Sequence, residues 1–477
     1  MINVDRDLDS ICAMITPYGV GGVSVLRICG PHTVPIVKKI ASFFPEKPES
    51  HKSYYGILTD HLNQPLDEVL ATFFSKGKSF TGDDTVEISC HGNPQIVKNI
   101  LSELILAGAR SADRGEFTYR AFMNSRIDLV QAENVLALIE SKSKKSAEVA
   151  LSQLRGDLSK KLEAFETDIT WVLAHIEADI DFSLENLSVI DYAVIEKKIS
   201  EIRAQIAALT DTFQNGRKIK DGVNVAIVGR PNVGKSSILN VLSGEERAIV
   251  TDIAGTTRDI IESEIFVNGI KANLQDTAGL RNTEDKVEKI GVQKSLEAMK
   301  VADYTVLVIS SDEFDEADLS QIPAKKDLSD TLFIFNKKDL VPNLNTENYY
   351  DKLISFLKLR NNYSTEKLNR DFLKEKTIFL SVLDTNALDL LKRFLGNNMK
   401  FRAEEDLSLI THSRHFENLT KASEGLERAL MLVKAKSGQE FVSLELKEAL
   451  IQIQETLGKS FDDQILDKIF KEFCLGK

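Results

Sequence analysis

The most constraining stretch of this chain lies near its middle, where the apolar run Val223–Val228 leads straight into Gly229-Arg230-Pro231-Asn232-Val233-Gly234-Lys235-Ser236. A β-prone run ending in G-x-x-x-x-G-K-S has to turn through a glycine-bearing loop and continue as a helix, so that successive backbone N–H groups face one anion. A strand–loop–helix unit of this kind sits within a parallel sheet. Further short β-prone runs follow at 265–267 with 272–274, 304–309, 332–335 and 378–380, separated by helical or loop material. That alternation predicts an α/β domain with a mainly parallel sheet.

The ten prolines, at 17, 31, 35, 45, 48, 65, 94, 231, 323 and 342, leave two long proline-free gaps, which favour helix. In the first gap Leu151, Leu154, Leu158, Leu162, Phe165, Ile169, Val172, Ile176 and Ile180 recur every three or four residues, the period of one helix face. A second helical pattern runs from about 401 to 473. Residues 1–122 are richer in Gly and Pro, with strand-like runs at 10–15, 23–28 and 85–89. The expected architecture is multidomain, α/β and α+β: an N-terminal α+β domain (1–122) and two helical blocks (123–219 and 400–477) that flank a nucleotide-binding domain (220–399).

At 477 residues the chain is long enough for about three domains of roughly 150 residues. Its net charge of −12 is spread as −2, −4, −4 and −2 over those four segments, with no basic arm or acidic tail. A broad, sequence-independent nucleic-acid surface is excluded, because such binding runs on clustered Lys and Arg. Four cysteines, Cys12, Cys29, Cys90 and Cys474, form neither a disulfide framework nor a spaced zinc site. With no apolar leader at the start and no run near the roughly 18 residues that span a bilayer, the expectation is a cytoplasmic protein without a membrane segment.

The central motifs define a chemistry. Lys235 reaches the β and γ oxygens of a nucleotide, Ser236 offers its hydroxyl to Mg²⁺, and Asn232, Val233, Gly234 and Ser237 complete the cradle. Asp276-Thr277-Ala278-Gly279 follows an apolar run and places Asp276 near Mg²⁺ and the Gly279 amide near the γ-phosphate. Asn336-Lys337-Lys338-Asp339 follows another, and the Asp339 carboxylate can accept from the two N–H donors on the guanine edge that adenine lacks. GTP is therefore preferred over ATP. Between the loop and Asp276 lies Thr251-Asp252-Ile253-Ala254-Gly255-Thr256-Thr257-Arg258-Asp259, a hydroxyl-rich segment suited to ordering by Mg²⁺ and the γ-phosphate. Leu280 stands where a water-orienting glutamine is common, so hydrolysis needs another group to position water.

Motifs along the rest of the chain carry a resemblance. They are Thr16-Pro17-Tyr18-Gly19-Val20-Gly21-Gly22 with Leu26-Arg27-Ile28, then Ser79-Phe80-Thr81-Gly82-Asp83-Asp84, His91-Gly92, Arg114-Gly115-Glu116-Phe117-Thr118, Gln131-Ala132-Glu133, and the terminal Phe473-Cys474-Leu475-Gly476-Lys477. On these residues the chain resembles the MnmE (TrmE) family of tRNA modification GTPases. The resemblance implies an N-terminal domain that dimerises and binds a one-carbon tetrahydrofolate (the 5-formyl or 5,10-methylene form), with contacts from Arg27, Glu87, Arg126 and Lys477. It implies a potassium-stimulated GTPase, with K⁺ at Asn232, Thr251, Ile253 and Thr256, Mg²⁺ at Ser236 and Thr257, Glu288 orienting the water, and Cys474 as a candidate catalytic thiol. It further implies that both helical blocks form one domain into which the GTPase domain is inserted, and a homodimer that works in a heterotetramer with MnmG, a flavoprotein using FAD and NADH, to add an aminomethyl or carboxymethylaminomethyl group, with glycine or ammonium as the nitrogen donor, at C5 of the tRNA wobble uridine. The alternative is a regulatory ribosome-assembly GTPase of the Era or Der type. The chain departs from the pattern at three places: Ser381-Val382-Leu383 replaces the usual guanine-binding residues, Arg126 replaces lysine, and the stretch from Asp339 to Ser381 is long, polar and expected to be a surface insertion.

Overall fold

A computed structural model describes residues 9–182, 191–244, 262–276, 299–319, 322, 328–359, 368–399, 407–461, 463–473 and 476. These fall into two compact units, one drawn from 1–140, 149–212 and 407–477, the other from 141–148 and 213–406.

The first unit opens with β1 (Ile11–Met14), β2 (Gly21–Cys29), β3 (Lys52–Thr59), β4 (Pro65–Phe74), β5 (Thr85–Gly92) and β6 (Arg110–Ser111), arranged β3-β4-β5-β2-β1-β6. Every pairing is antiparallel except β1 with β6. One face carries Leu26, Ile28, Val69, Ala71, Phe73, Val86 and Ile88, buried with residues of the helices Thr33–Ile40 and Pro94–Leu106. Each of these side chains other than Ala71 contributes about 1.5–3 kcal/mol by leaving water. The opposite face carries Val23, Val25 and Arg27 on β2 and Glu87, Ser89 and His91 on β5, the other half of the two-residue alternation. The runs expected at 10–15, 23–28 and 85–89 are β1, β2 and β5. Sequence reading missed β3 and β4, whose outward positions Tyr55, Ile57 and Leu70 are apolar yet exposed, which blurs the alternation.

The helical part of this unit contains Asp157–Phe182, Tyr192–Thr210, Ser413–Lys434 and Gln439–Leu457. The periodicity read from 151 to 180 is divided between two helices, Lys144–Leu154 and Asp157–Phe182, broken at Gly156, which adopts a left-handed φ of 86°. Leu151 is exposed, whereas Leu158, Leu162, Phe165, Ile169, Val172 and Ile176 are buried. The Gln131-Ala132-Glu133 motif, on the helix Leu129–Glu140, locks these pieces together. Gln131 donates to the Leu154 carbonyl, Asn134 to Gln153, and Gln153 to the Leu409 carbonyl. Glu133 accepts from Arg414 Nε and Nη2 at 2.9 and 3.0 Å and lies 2.5 Å from His415 Nε2. Burial alone would raise the Glu133 carboxyl, but Arg414 and His415 hold it well below the usual range.

In the second unit β7 (Val223–Val228), β8 (Glu262–Val267), β9 (Ile270–Asp276), β10 (Tyr304–Ser310), β11 (Thr331–Asn336) and β12 (Thr377–Phe379) form the order β12-β11-β10-β7-β9-β8. All neighbours are parallel except the β8–β9 hairpin. That hairpin turns on Asn268-Gly269, both at positive φ (52° and 75°), the chemistry a tight turn of matching twist requires. β10 and β11 are buried along their whole length, which is why they read as continuous apolar runs. The surface insertion expected between Asp339 and Ser381 is not what the structure shows. The stretch supplies the helices Thr346–Leu359 and Arg370–Lys376, and its Tyr350, Leu353, Leu357, Leu368 and Leu373 are buried against the sheet. The polar content that suggested a surface loop faces outward or falls in 360–367, outside the described residues.

Candidate functional site

Two arrangements of side chains are candidates for chemistry, one in each unit. In the second unit the loop between β7 and the helix Lys235–Ser243 bends through Gly229 (φ 151°), Asn232 (φ 64°) and Gly234 (φ 99°). A Cβ on Gly229 would lie 2.3 Å from the Val308 carbonyl oxygen, and one on Gly234 would lie 2.2 Å from Asn336 Nδ2, so both positions exclude any side chain. Lys235 is buried, and its Nζ donates to the carbonyls of Gly229 and Arg230 at 2.8 and 2.7 Å. The ammonium is thus held directly under the loop crest. Asn232, Ser236 and Ser237 are exposed at that crest, while Val233 packs inward.

The turns at 337–340 and 381–383 are fastened to the same place. Asn336, buried at the end of β11, donates to the Val233 carbonyl at 3.0 Å and accepts from the Val382 N–H at 3.3 Å. Its role is to bind the phosphate loop to the 381–383 turn. Lys337 takes a left-handed φ of 59°, which carries the chain into the short turn Lys338–Leu340 and leaves Asp339 exposed. Ser381 is buried; its N–H faces Asp384 Oδ2 at 3.3 Å and its Oγ accepts from Leu383 N at 3.2 Å, so it shapes its own turn. Asp276 ends β9 opposite Ile227, at the mouth of the loop. Thr277, Ala278, Gly279, Glu288 and the segment Thr251, Asp252, Ile253, Ala254, Gly255, Thr256 and Thr257 lie outside the described residues. Sequence reading missed Arg230, which pairs with Asp315 at 3.0 Å and braces the loop from outside.

In the first unit Arg27 and Glu87 are cross-strand neighbours on β2 and β5, bonded at 2.7 and 3.0 Å. The rings of Phe80 and Phe117 lie 5.2 and 5.4 Å from the Arg27 guanidinium carbon, distances at which a cation is attracted to an aromatic face. The Ser79–Asp84 motif is folded onto residues 124–126: Asn124 donates to the Thr81 carbonyl at 2.7 Å, and a Cβ on Gly82 would lie 3.1 Å from Arg126 Cγ. Arg126 is exposed beside them. The C-terminal end also comes here. A Cβ on Gly115 would lie 2.3 Å from the Phe470 carbonyl oxygen, and one on Gly476 would lie 2.1 Å from that of Met14, one strand position from Ala13, the β1 partner of Arg27. Cys474 and Lys477 fall outside the described residues. Burial pushes the thiols of Cys12, Cys29 and Cys90 up to about 11, 12 and 11, so none of these three is a nucleophile near neutral pH.

A third cluster, Glu133, His412 and His415, offers ligand atoms within 4.8 Å of one another. Both oxygens of Glu133 already take Arg414, whose charge a cation would have to displace.

A glycine-bent loop over a buried lysine, at the ends of parallel strands and tied by an asparagine to the 381–383 turn, defines a P-loop nucleotide-binding domain. A profile described as MnmE helical domain matches residues 129–474, and one described as GTP-binding protein TrmE N-terminus matches 10–126. The chain is 48% identical to the tRNA modification GTPase MnmE of Bdellovibrio bacteriovorus, covering 100% of this chain and 99% of that protein. It is 40% identical to the protein of that name from Natranaerobius thermophilus (98% and 99% covered) and 38% identical to that of Aquifex aeolicus (98% and 100%). The chain belongs to the MnmE family of tRNA modification GTPases. No helix among the described residues is long and apolar enough to cross a membrane.

Proposed function

We propose that this chain couples GTP hydrolysis to a one-carbon transfer at C5 of the tRNA wobble uridine, acting as a homodimer in the cytoplasm together with the flavoprotein MnmG. The organisation that goes with this reading is a folate-binding and dimerisation domain over 1–122, a helical domain over 123–219 and 400–477, and a GTPase domain over 220–399. In the GTPase domain Lys235 would meet the β and γ phosphates, and Asp339 would take the guanine edge. Mg²⁺ would be held by Ser236 and Thr257. K⁺ would be held by Asn232, Thr251, Ile253 and Thr256; the crest position and exposure of Asn232 suit an oxygen ligand. These ions supply positive charge to the transferring phosphoryl group, in a chain whose sequence offers no evident arginine finger. Glu288 is the proposed water-orienting residue and Cys474 the proposed thiol of the other site.

The observation that carries the folate reading is the Arg27–Glu87 pair, with the Phe80 and Phe117 rings near the guanidinium. Because the two side chains hold each other, they serve one end of a long ligand together. A carboxylate acceptor beside a planar donor, flanked by aromatic rings, suits the flat, N–H-rich edge of a pterin. Arg126 and Lys477 are then left for the carboxylates of the glutamate tail. The test is calorimetry with 5-formyltetrahydrofolate on the full chain: Glu87→Gln should weaken binding at least tenfold while GTP affinity holds, and unchanged folate affinity would overturn the assignment. In parallel, Asp339→Asn should shift preference toward xanthine nucleotides, and Asn232→Ala should abolish the difference between K⁺ and Na⁺ in hydrolysis rate.

A further inference from the structure

The His91-Gly92 motif has no part in the reading above, and the structure gives it one. His91 lies at the end of β5 opposite Val23, on the same sheet face as Glu87 and Arg27, four residues from Glu87. At about 3.3 Å per residue the two are roughly 13 Å apart along the strand, with Val25 and Ser89 between them. Asp67 fixes the histidine twice: its carboxylate accepts from the His91 backbone N–H at 2.8 Å and lies 2.7 Å from Nδ1. The Asp67 side chain is 8% exposed and the His91 side chain 66% exposed. A carboxylate can only accept, so it sets Nδ1 as the protonated nitrogen and leaves the Nε2 lone pair facing outward. The neighbouring strand comes unusually close, since a Cβ on Gly92 would lie 2.4 Å from the Gly21 carbonyl oxygen. This contact brings the exposed Pro17–Gly22 segment to the same end of the sheet.

We propose that His91, oriented by Asp67, is the proton acceptor of the N-terminal site, taking a proton from the amine whose nitrogen joins the one-carbon unit. The proposal rests on the folate reading. A primary amine is protonated near neutral pH and has no lone pair with which to attack carbon, so its N–H bond must break first. The electron pair stays on nitrogen and the proton passes to Nε2, giving an imidazolium stabilised by Asp67. The other groups of the face do not fill this role: Arg27 and Arg126 are cations, and Glu87, paired with Arg27 through Oε1, is assigned to the pterin edge. Among the described residues, the charged groups of β4 at this end of the sheet are Asp67 and Glu68, the latter two residues before Leu70, the partner of Ser89, and accepting from Tyr55 of β3 at 2.9 Å. On β2 the partner of His91, Val23, carries no charge.

Two measurements test this. In the full chain labelled with ¹³Cε1-histidine, the His91 resonance should report the Nδ1–H tautomer, lose that signature in Asp67→Asn, and shift when glycine or ammonium is added with 5-formyltetrahydrofolate; a resonance indifferent to the amine would overturn the proposal. In the reconstituted complex with the flavoprotein and tRNA, His91→Ala should lower wobble-uridine modification at least tenfold and recover in part with added imidazole. Folate affinity and GTP turnover should hold in all these variants. Full activity of His91→Ala without added imidazole would refute the proton-acceptor role, whereas loss of folate binding in Glu87→Gln alone tests the reading beneath it.

Discussion

The two six-stranded sheets solve the problem of making a site in opposite ways. The parallel sheet of the GTPase unit presents its functional groups from a single contiguous loop, Gly229 to Ser236, with two further loops tied in through Asn336. The largely antiparallel N-terminal sheet packs one face against two helices and, on the other, assembles its groups from segments scattered over the chain: Arg27, Phe80, Glu87, Phe117, Arg126 and the turn at Gly476. A local site depends on backbone conformation at a few residues. An assembled one depends on the packing of everything that brings its parts together.

That contrast can be pressed at several points. The largest effect is expected from Arg414→Ala, which strands the Glu133 carboxylate beside His415 in the core of the first unit. Protection from hydrogen exchange in the helices Leu129–Glu140 and Ser413–Lys434 should fall by about 3–5 kcal/mol. GTP turnover should be spared, and loss of both together would erase the distinction between the two sites. The same residue gives a pH dependence. The folded Glu133 carboxyl titrates below its ordinary value near 4.5, so its stabilisation is complete above about pH 5 and is lost as the pH falls toward the folded value. In Glu133→Gln that acid-side loss should shrink.

Next comes Lys235→Ala, expected to cut the GTP hydrolysis rate roughly 100-fold or more by removing a cation from the transferring phosphoryl group, with folate affinity unchanged in calorimetry. Gly476→Val should lower folate affinity about tenfold, because the added side chain collides with the Met14 backbone, while hydrolysis stays as it was. The smallest effect belongs to Lys142→Ala. Its 2.7 Å pair with Glu264 is solvent-exposed at both ends, and loss of it should move unfolding by less than about 1 kcal/mol.

The same contrast explains what the sequence disclosed. The GTPase strands were legible to within a few residues because parallel strands buried on both faces are unbroken apolar runs such as Tyr304–Ser310. The nucleotide loop was legible because its residues are consecutive and each glycine answers a specific collision. The N-terminal site was not legible from spacing: nothing in the order of residues says that Arg27 bonds Glu87, or that Phe80 and Phe117 cover the same guanidinium. Only resemblance pointed there, and it did not disclose the Asp67–His91 pair, which forms only once β4 and β5 are aligned. Gly156 misled in a different way, since hydrophobic spacing runs straight through a bend that a left-handed glycine makes possible. The Asp339–Ser381 stretch misled through composition, its polar surface masking leucines that close the core.

The contact between Gly115 and the Phe470 backbone has a consequence in time. Roughly 350 residues separate the two, and at about 5–20 residues per second a ribosome needs roughly 20–70 seconds to make that length. Throughout that interval the N-terminal sheet has emerged while the segment that covers its flank does not yet exist. Any ligand of that sheet offered during synthesis would therefore meet a half-built surface.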